Sequence, residues 1–222
     1  MLETISSQLT PITTDLFSEK TRDRILVSSL VLFNQLGFSR VTTASIAKQT
    51  GILEGSLWYH FNTKKDILDA HIQLLSKVFL AENKQASSTD TKTIILGIFR
   101  SYDLIWDFRY ILRDDFQKSL NEDELVLETA KKINNFLDQW AEGRIQHSYI
   151  NGLLQLNPQQ IENLSEITLV IGRYWLDFSS KKYPNVSDES LRKKGLSHIF
   201  TVLESYLSPE AKQIISQMMD KR

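Results

Sequence analysis

Apolar residues recur every three or four positions along most of the chain, and few residues interrupt this pattern. Ile25, Leu26, Leu32, Phe33 and Leu36 are one example. This spacing puts apolar side chains on one face of an α-helix, and that face has to be buried. Only four prolines and eight glycines occur in 222 residues, and these are the residues that interrupt helices. The sequence therefore predicts an all-α fold of long helices.

The breaks in the pattern divide the chain into three parts. Residues 1–17, rich in Ser and Thr, are predicted to be a flexible arm, followed by an N-terminal domain over residues 18–82. The polar segment NKQASSTDT marks a domain boundary, and residues 90–222 form a C-terminal helical domain. The predicted helices are 18–36, 43–50, 54–60, 63–81, 90–107, 108–120, 122–150, 158–180, 188–207 and 209–219.

Composition excludes several classes of protein. The chain has no cysteine, so it has no disulfide, no cysteine-ligated metal and no thiol nucleophile. The N-terminus lacks a basic leader and an apolar run, and no stretch approaches the ~18 apolar residues of a membrane helix. These features predict a soluble, cytoplasmic protein with no membrane partner.

Enzyme signatures are also missing from the sequence. The four histidines share no metal-ligand spacing, and neither a Gly-x-Ser-x-Gly elbow nor a glycine-rich phosphate loop occurs. Carboxylate pairs such as Asp114-Asp115 fall at predicted helix ends, where they are usually solvated or capping. We therefore expect no catalytic residues, no metal site and no cofactor.

Two short predicted helices joined by a tight turn lie within residues 42–61. Thr42 or Thr43 can cap the first helix and Gly51 can end it. This is the outline of a helix-turn-helix motif, whose second helix enters the major groove of DNA. From Glu19 to Asp66, seven lysines and arginines stand against four acids, which permits a basic face here.

The second helix of this motif carries three consecutive rings, at positions 58–60. Leu57 and Phe61 are four residues apart and are expected to anchor the helix on the core. The side chains of Ser56, Trp58, Tyr59 and His60 would then project outward. Hydroxyl and imidazole groups can contact phosphate, and ring edges can contact thymine methyl groups.

Residues 21–68 resemble the DNA-binding region of the tetracycline-repressor (TetR) family of bacterial regulators. The matching positions are Ile25-Leu26, Ser28-Ser29, Leu32-Phe33, Gly37, Thr43, Ile46-Ala47, Thr50-Gly51-Ile52, Gly55, Leu57-Trp58, His60-Phe61 and Lys64. Three positions depart from the family pattern. Trp58 stands where tyrosine is usual, Leu53 where a small polar residue is common, and Thr50 where a small apolar residue is usual. The first two bear on which operator is read.

The candidate DNA contacts follow from this motif. They are Arg40, Thr42, Thr43, Gly55, Ser56, Trp58, Tyr59, His60 and Lys64. Several have a plainer interpretation: Thr43 as a helix cap, Ser56 as an exposed polar residue and Lys64 as a solvated lysine. Glu54 is better explained as a carboxylate at a helix N-terminus than as a cytosine contact.

The C-terminal domain has many aromatic residues, and the segment WDFRYILRDDF also resembles bacterial transcriptional repressors. The resemblance implies a homodimer formed by long helices, for which 158–180 and 188–207 are the candidates. It also implies a ligand pocket, although an aromatic stripe is more often core. Arg109 could bind an anion or could pair with Asp107 or Asp114. The pocket candidates are Tyr102, Trp106, Arg109 and Tyr110.

Together these features predict a dimeric, sequence-specific repressor that binds double-stranded DNA at a palindromic operator and is released by a small-molecule effector. Effector control is implied by the resemblance alone. Two alternatives remain open at this point. The DNA contact could serve an activator or a chromosome-organising protein without ligand control. A more remote alternative is a helical small-molecule enzyme.

Overall fold

Helices account for most of the described chain. The computed structural model describes residues 8–85, 89–113, 116 and 124–221. The helices are α1 (Pro11–Thr14), α2 (Thr21–Leu36), α3 (Thr43–Thr50), α4 (Glu54–His60), α5 (Lys64–Gln85), α6 (Thr91–Asp107), α7 (Glu124–Ile150), α8 (Pro158–Lys182), α9 (Asp188–Leu203) and α10 (Pro209–Asp220). Short 3-10 turns follow α6 and α9, at Arg109–Leu112 and Glu204–Tyr206. The predicted all-α fold is confirmed.

Capping groups in the sequence set most helix ends where they were expected. Thr42 forms a reciprocal capping box with Ser45 at the start of α3, and Gly51 ends that helix with φ of 74°. Thr63 and Asp66 exchange backbone-to-side-chain hydrogen bonds at the start of α5. Asn157 caps α8 by the same kind of exchange. These bonds satisfy N–H groups that a helix end leaves without partners.

The chain divides into two compact units. The first contains the described residues up to Phe79 and those from Asp103 to Ile133, and the second contains the described residues of 80–102 and 134–221. The predicted domain boundary at residues 83–91 therefore does not account for residues 103–133, where the chain returns to the first unit. Residues 86–88 of that segment lie outside the described residues.

The first unit has an apolar core built by α2, α3, α4 and α5. Its fully buried side chains include Ile25, Phe33, Ile46, Leu57 and Ile67. The helix α2 packs against both α3 and α4, and these two pack against each other. The predicted three-helix DNA-binding arrangement is thus present within this unit.

The side chain of Asn34 ties the returning segment to α2. Its amide nitrogen donates to the carbonyl oxygen of Asp107 at 2.6 Å, and its amide oxygen accepts the N–H of Tyr110 at 3.1 Å. The carbonyl belongs to the last residue of α6, where helical partners run out, and the N–H belongs to the 3-10 turn that follows. The predicted helix 108–120 is accordingly wrong over Arg109–Arg113, which form a 3-10 turn followed by extended backbone at Arg113, whereas Phe116 is helical. Residues 114, 115 and 117–120 lie outside the described residues.

The end of α6 also holds part of the N-terminal segment. Both the N–H and the hydroxyl of Thr10 donate to the side chain of Asp107. Burial raises the pKa of Asp107, and the bonds from Thr10 oppose that rise. Leu9 and Thr10 are buried and Pro11–Thr14 form a helical turn. The predicted flexible arm over residues 1–17 is therefore wrong for residues 9–14, while residues 1–7 lie outside the described residues.

A buried histidine completes the polar network of the first unit. The Nε2 atom of His71 lies 3.0 Å from the carbonyl oxygen of Leu26, and Nδ1 lies 2.9 Å from the Tyr110 hydroxyl. Since a carbonyl oxygen can only accept, Nε2 carries the proton and Nδ1 accepts from Tyr110. Burial lowers the pKa of His71 to about 4. The imidazole is therefore neutral in the folded protein at neutral pH.

In the second unit, close contact between side chains requires a glycine on α9. The helix α8 packs along α9, and the indole N–H of Trp175 donates to the carbonyl of Leu191 at 2.9 Å. A Cβ atom on Gly195 would overlap both the Trp175 indole and the Tyr102 hydroxyl. By contrast, a Cβ atom on Gly143 of α7 would meet nothing within 4 Å.

Alanine substitutions at these two glycines are expected to change the free energy of unfolding in opposite directions. Gly195→Ala should lower the free energy of unfolding by about 1–3 kcal/mol, because the new methyl group forces Trp175 or Tyr102 to move. Gly143→Ala should raise it by about 0.5–1 kcal/mol, because alanine loses less backbone entropy in a helix. Urea unfolding of the two variants measures both changes, and equal effects would contradict the packing described here.

The buried imidazole predicts a loss of stability in mild acid. Because the folded pKa of His71 is about 4 and the unfolded value is about 6.5, the unfolded chain binds the extra proton first. The stability that comes from keeping His71 neutral is complete above pH 6.5 and is lost as the pH falls toward 4. Between pH 7 and pH 5 the free energy of unfolding of the unchanged protein should fall by about 2 kcal/mol more than that of His71→Gln. Urea unfolding at both pH values checks this, and an identical pH dependence in the variant would contradict it.

Candidate nucleic-acid interface

The short helix α4 is held in place by two buried side chains. Leu57 is completely buried, and Phe61, just after the helix, is buried as well. The guanidinium of Arg22, on α2, lies 4.9 Å from the centre of the Phe61 ring. These contacts fix the rotation of α4 about its own axis. The predicted anchors are confirmed as buried residues.

The opposite side of α4 faces solvent. Tyr59 is 87% exposed and Trp58 is 51% exposed, and the side chain of Ser56 and the backbone of Gly55 are also exposed. His60 is half-buried, with its ring perpendicular to that of Tyr59 at 5.2 Å between centres. We call the exposed set Gly55, Ser56, Trp58 and Tyr59 the outer face of α4. Its two large rings lie on the surface of the described part of the first unit.

Three candidates lie before α4 in the chain. Arg40 is exposed, in the loop between α2 and α3. Thr42 uses its side-chain oxygen to accept the N–H of Ser45, so it is a helix cap whatever else it contacts. The hydroxyl of Thr43 donates to Oε1 of Glu54 at 2.6 Å. This bond joins the first residue of α3 to the first residue of α4, and sequence reasoning did not foresee it.

Lys64 has a structural role that the sequence did not indicate. Its ammonium group donates to the carbonyl oxygens of Phe38 and Val41 at 2.8 and 3.0 Å, and it lies 4.4 Å from the centre of the Phe38 ring. Partial burial lowers the pKa of this lysine. The ammonium group thus holds the α2–α3 loop against the start of α5. This geometry does not support the predicted phosphate clamp.

The four pocket candidates are core residues in the structure. Tyr102 belongs to the second unit and the other three belong to the first. Arg109 donates to the carbonyl of Trp106 at 2.8 Å and its guanidinium lies 4.8 Å from the Trp106 ring. Tyr110 is bound to His71 and packs against Phe33 at 5.0 Å between ring centres. The plainer interpretation of this aromatic stripe fits Trp106, Arg109 and Tyr110, while Asp114, a possible partner of Arg109, lies outside the described residues.

Leu53 is an exposed apolar residue that the candidate contacts did not include. It precedes α4 at the N-cap position and is 80% exposed. The signal was present in the sequence, because a leucine just before a helix start, where a small polar residue is usual, cannot cap the helix. It stands two residues before Gly55, the first residue of the outer face of α4.

Two known families match successive parts of the chain. Residues 25–71 match the family described as bacterial regulatory proteins of the tetR family, and residues 73–215 match the TetR family described as bacterial transcriptional repressor. The chain belongs to the TetR family of bacterial transcriptional regulators. This assignment identifies a DNA-binding regulator with a helix-turn-helix motif, and not an enzyme.

Curated relatives agree with this assignment. IcaR of Staphylococcus aureus strain Newman, the negative transcriptional regulator of the biofilm operon icaADBC, is 26% identical over 84% of this chain and 98% of its own length. The class A tetracycline repressor from transposon 1721 of Escherichia coli is 30% identical over 35% of this chain and 36% of its own.

Solved structures share the fold. A TetR-family regulator from Marinobacter aquaeolei VT8 superposes with a TM-score of 0.63 at 24% identity, covering 91% of this chain and 98% of its own. SmeT, solved in a complex with triclosan, has a TM-score of 0.59 at 18% identity, covering 86% of this chain and 93% of its own. Across the described residues of this TetR-family chain, no helix combines the length and the apolar character needed to cross a bilayer.

The lysine contacts predict that Lys64 stabilises the protein and does not clamp a phosphate. Lys64→Met should lower the free energy of unfolding by about 1–3 kcal/mol, because carbonyl groups lose a charged donor. The slope of log K for DNA against log salt should stay unchanged, since each phosphate contact contributes about 0.9 to it.

The neighbouring lysine is the matched control for this test. Lys65 forms a partly exposed ion pair with Asp69 at 2.8 Å, so Lys65→Met should change stability by no more than about 1 kcal/mol. A salt slope that falls by about 0.9 in Lys64→Met would instead identify Lys64 as a phosphate contact.

Proposed function

We propose that this TetR-family regulator is a repressor that binds a palindromic operator as a homodimer and is released by a small-molecule effector. The observation that carries the proposal is the outer face of α4, held outward by buried Leu57. In a helix-turn-helix motif, residues near the N-terminus of the second helix contact base edges in the major groove. Ser56 can exchange hydrogen bonds there, while Trp58 and Tyr59 offer an N–H or O–H group to phosphate.

A homodimer accounts for an exposed apolar stripe on α8. Ile167, Val170 and Tyr174 are spaced three and four residues apart and are exposed, so they lie on one face of that helix. Such a face is expected to pack against a second copy. Two copies of α4 related by a two-fold axis would then contact half-sites about 34–36 Å apart, in successive major grooves.

The sign of regulation and the effector are supported by relatives. IcaR is named a negative regulator, which favours repression here. The binding of triclosan by SmeT is the precedent for a small-molecule effector. An effector acts by binding more tightly to a conformation that does not fit the operator. We place the protein in the cytoplasm, with its DNA.

The outer face predicts that removal of one ring abolishes most specific binding. Tyr59→Ala should weaken binding to operator DNA by about 10- to 100-fold, the range for loss of one good contact. The fold should be unaffected, because Tyr59 is 87% exposed. Fluorescence anisotropy with the DNA upstream of the protein's own gene measures the affinity, in competition with unrelated DNA.

Two further variants sharpen this test. Tyr59→Phe keeps the ring and removes the hydroxyl, so its affinity shows whether phosphate bonding or ring contact dominates. Leu36→Ala removes an exposed leucine from the end of α2 and should bind as the unchanged protein does. Equal affinity of Tyr59→Ala and the unchanged protein, or no specific binding with a salt slope near zero, would contradict the proposal.

A further inference from the structure

The start of α4 presents few side chains that could read a base. The carboxylate of Glu54 accepts the Thr43 hydroxyl at 2.6 Å and is half-buried. Gly55 has no side chain, and a Cβ atom placed there would meet nothing within 4 Å. Nothing within the described chain therefore requires glycine at this position, and a bare backbone lets DNA approach closely. Leu53 and Ser56 are the exposed side chains that remain in this first turn.

Leu53 is unfavourable both for the helix and for solvation. It occupies the N-cap position of α4 and forms no side-chain cap hydrogen bond, whereas Ser, Thr, Asp or Asn in this position would stabilise the helix. Its side chain is 80% exposed. A large apolar group in this position gains free energy only if a partner removes it from water.

The unit that contains Leu53 indicates which partner this is. Leu53 adjoins the outer face of α4, in a chain that belongs to a family of DNA-binding regulators. Exposed cations, Arg22, Arg40 and Lys48, lie on the helices and loop of the same unit. They suit a partner that carries phosphates and do not suit an apolar protein surface. In the major groove, an aliphatic side chain without donors or acceptors finds one apolar group, the C5 methyl of thymine.

We infer that Leu53 is a specificity-determining residue that contacts a thymine methyl group in each operator half-site. This inference rests on the proposed function, and it names a feature of the DNA that this function alone does not require. Ser56 then supplies hydrogen bonding to a neighbouring base edge, and Leu53 supplies discrimination by shape and methyl content. An operator position opposite Leu53 should therefore be thymine, and cytosine should be disfavoured unless it is methylated at C5.

Replacement of thymine by deoxyuridine tests this inference, because it removes the methyl group and keeps every hydrogen-bonding group. Each thymine of the operator is replaced in turn, and affinity is measured by fluorescence anisotropy. The unchanged protein should lose about fourfold in affinity at the thymine opposite Leu53, and about 15-fold when both half-sites are changed. A 5-methylcytosine–guanine pair at that position should bind more tightly than a cytosine–guanine pair.

Variants assign the effect to one side chain. Leu53→Ala should bind thymine and deoxyuridine equally at that position, and Leu36→Ala should keep the fourfold difference. Circular dichroism confirms that both variants are folded. The inference is overturned if the deoxyuridine scan is flat although the unchanged protein binds its operator specifically, or if Leu53→Ala keeps the same difference. Absence of specific binding by the unchanged protein overturns the proposed function, and this inference with it.

Discussion

The burial of Leu57 determines how this protein can meet DNA. The helix α4 spans only Glu54–His60, and a helix of that length is not stable by itself in water. Its conformation and its rotation therefore come from the side chains that it buries. Leu57 lies in the core and Phe61 packs beneath Arg22 one turn later. Once these two positions face inward, the 3.6-residue period forces positions 55, 56 and 59 to face outward.

The helix α2, against which α4 packs, takes part in turn in a polar network. Asn34 holds both the end of α6 and the N–H of Tyr110, and Tyr110 bonds to His71 on α5. Asp107 binds Thr10 at the same place. Every one of these groups is buried, so each bond replaces one that water would make in the unfolded chain. The end of α6 from Asp103 onward is consequently part of the first unit.

Local signals in the sequence predicted most helices and the outer face of α4, because caps, glycines and apolar spacing act within a few residues. Thr42, Gly51 and Asn157 are examples. Contacts distant in the sequence could not be predicted in this way. From the sequence, Lys64 was expected to be solvated or to bind phosphate. Its contacts with the carbonyl groups of Phe38 and Val41 join residues more than 20 positions apart and cannot be seen in the sequence. For Tyr110 and Arg109 the pocket assignment stays a prediction, since an aromatic stripe has the same spacing whether it lines a cavity or fills a core.

The prediction of a flexible N-terminal arm is wrong over residues 9–14 for a related reason. A Ser- and Thr-rich segment has little apolar surface to bury, and composition then favours an unattached chain. Thr10 reverses this through two hydrogen bonds to one buried carboxylate. That carboxylate has a raised pKa because of its burial, so it needs donors wherever the chain can supply them. The short Pro11–Thr14 helix positions Thr10 to be such a donor.

In and beside α4, residues that follow helical burial preferences lie on the buried side, and residues that oppose helix capping, helix propensity or burial lie on the exposed side. Leu57 and Phe61 obey helical burial and face the core. Leu53 violates the capping preference, Gly55 violates helix propensity, and Tyr59 leaves a large ring in water, all on the exposed side. Residues that oppose local stability are expected at sites of function. These local costs lie on one side of one seven-residue helix. Under the proposed function, contact with DNA offsets them, and the start of α4 is then the place where the choice of operator is decided.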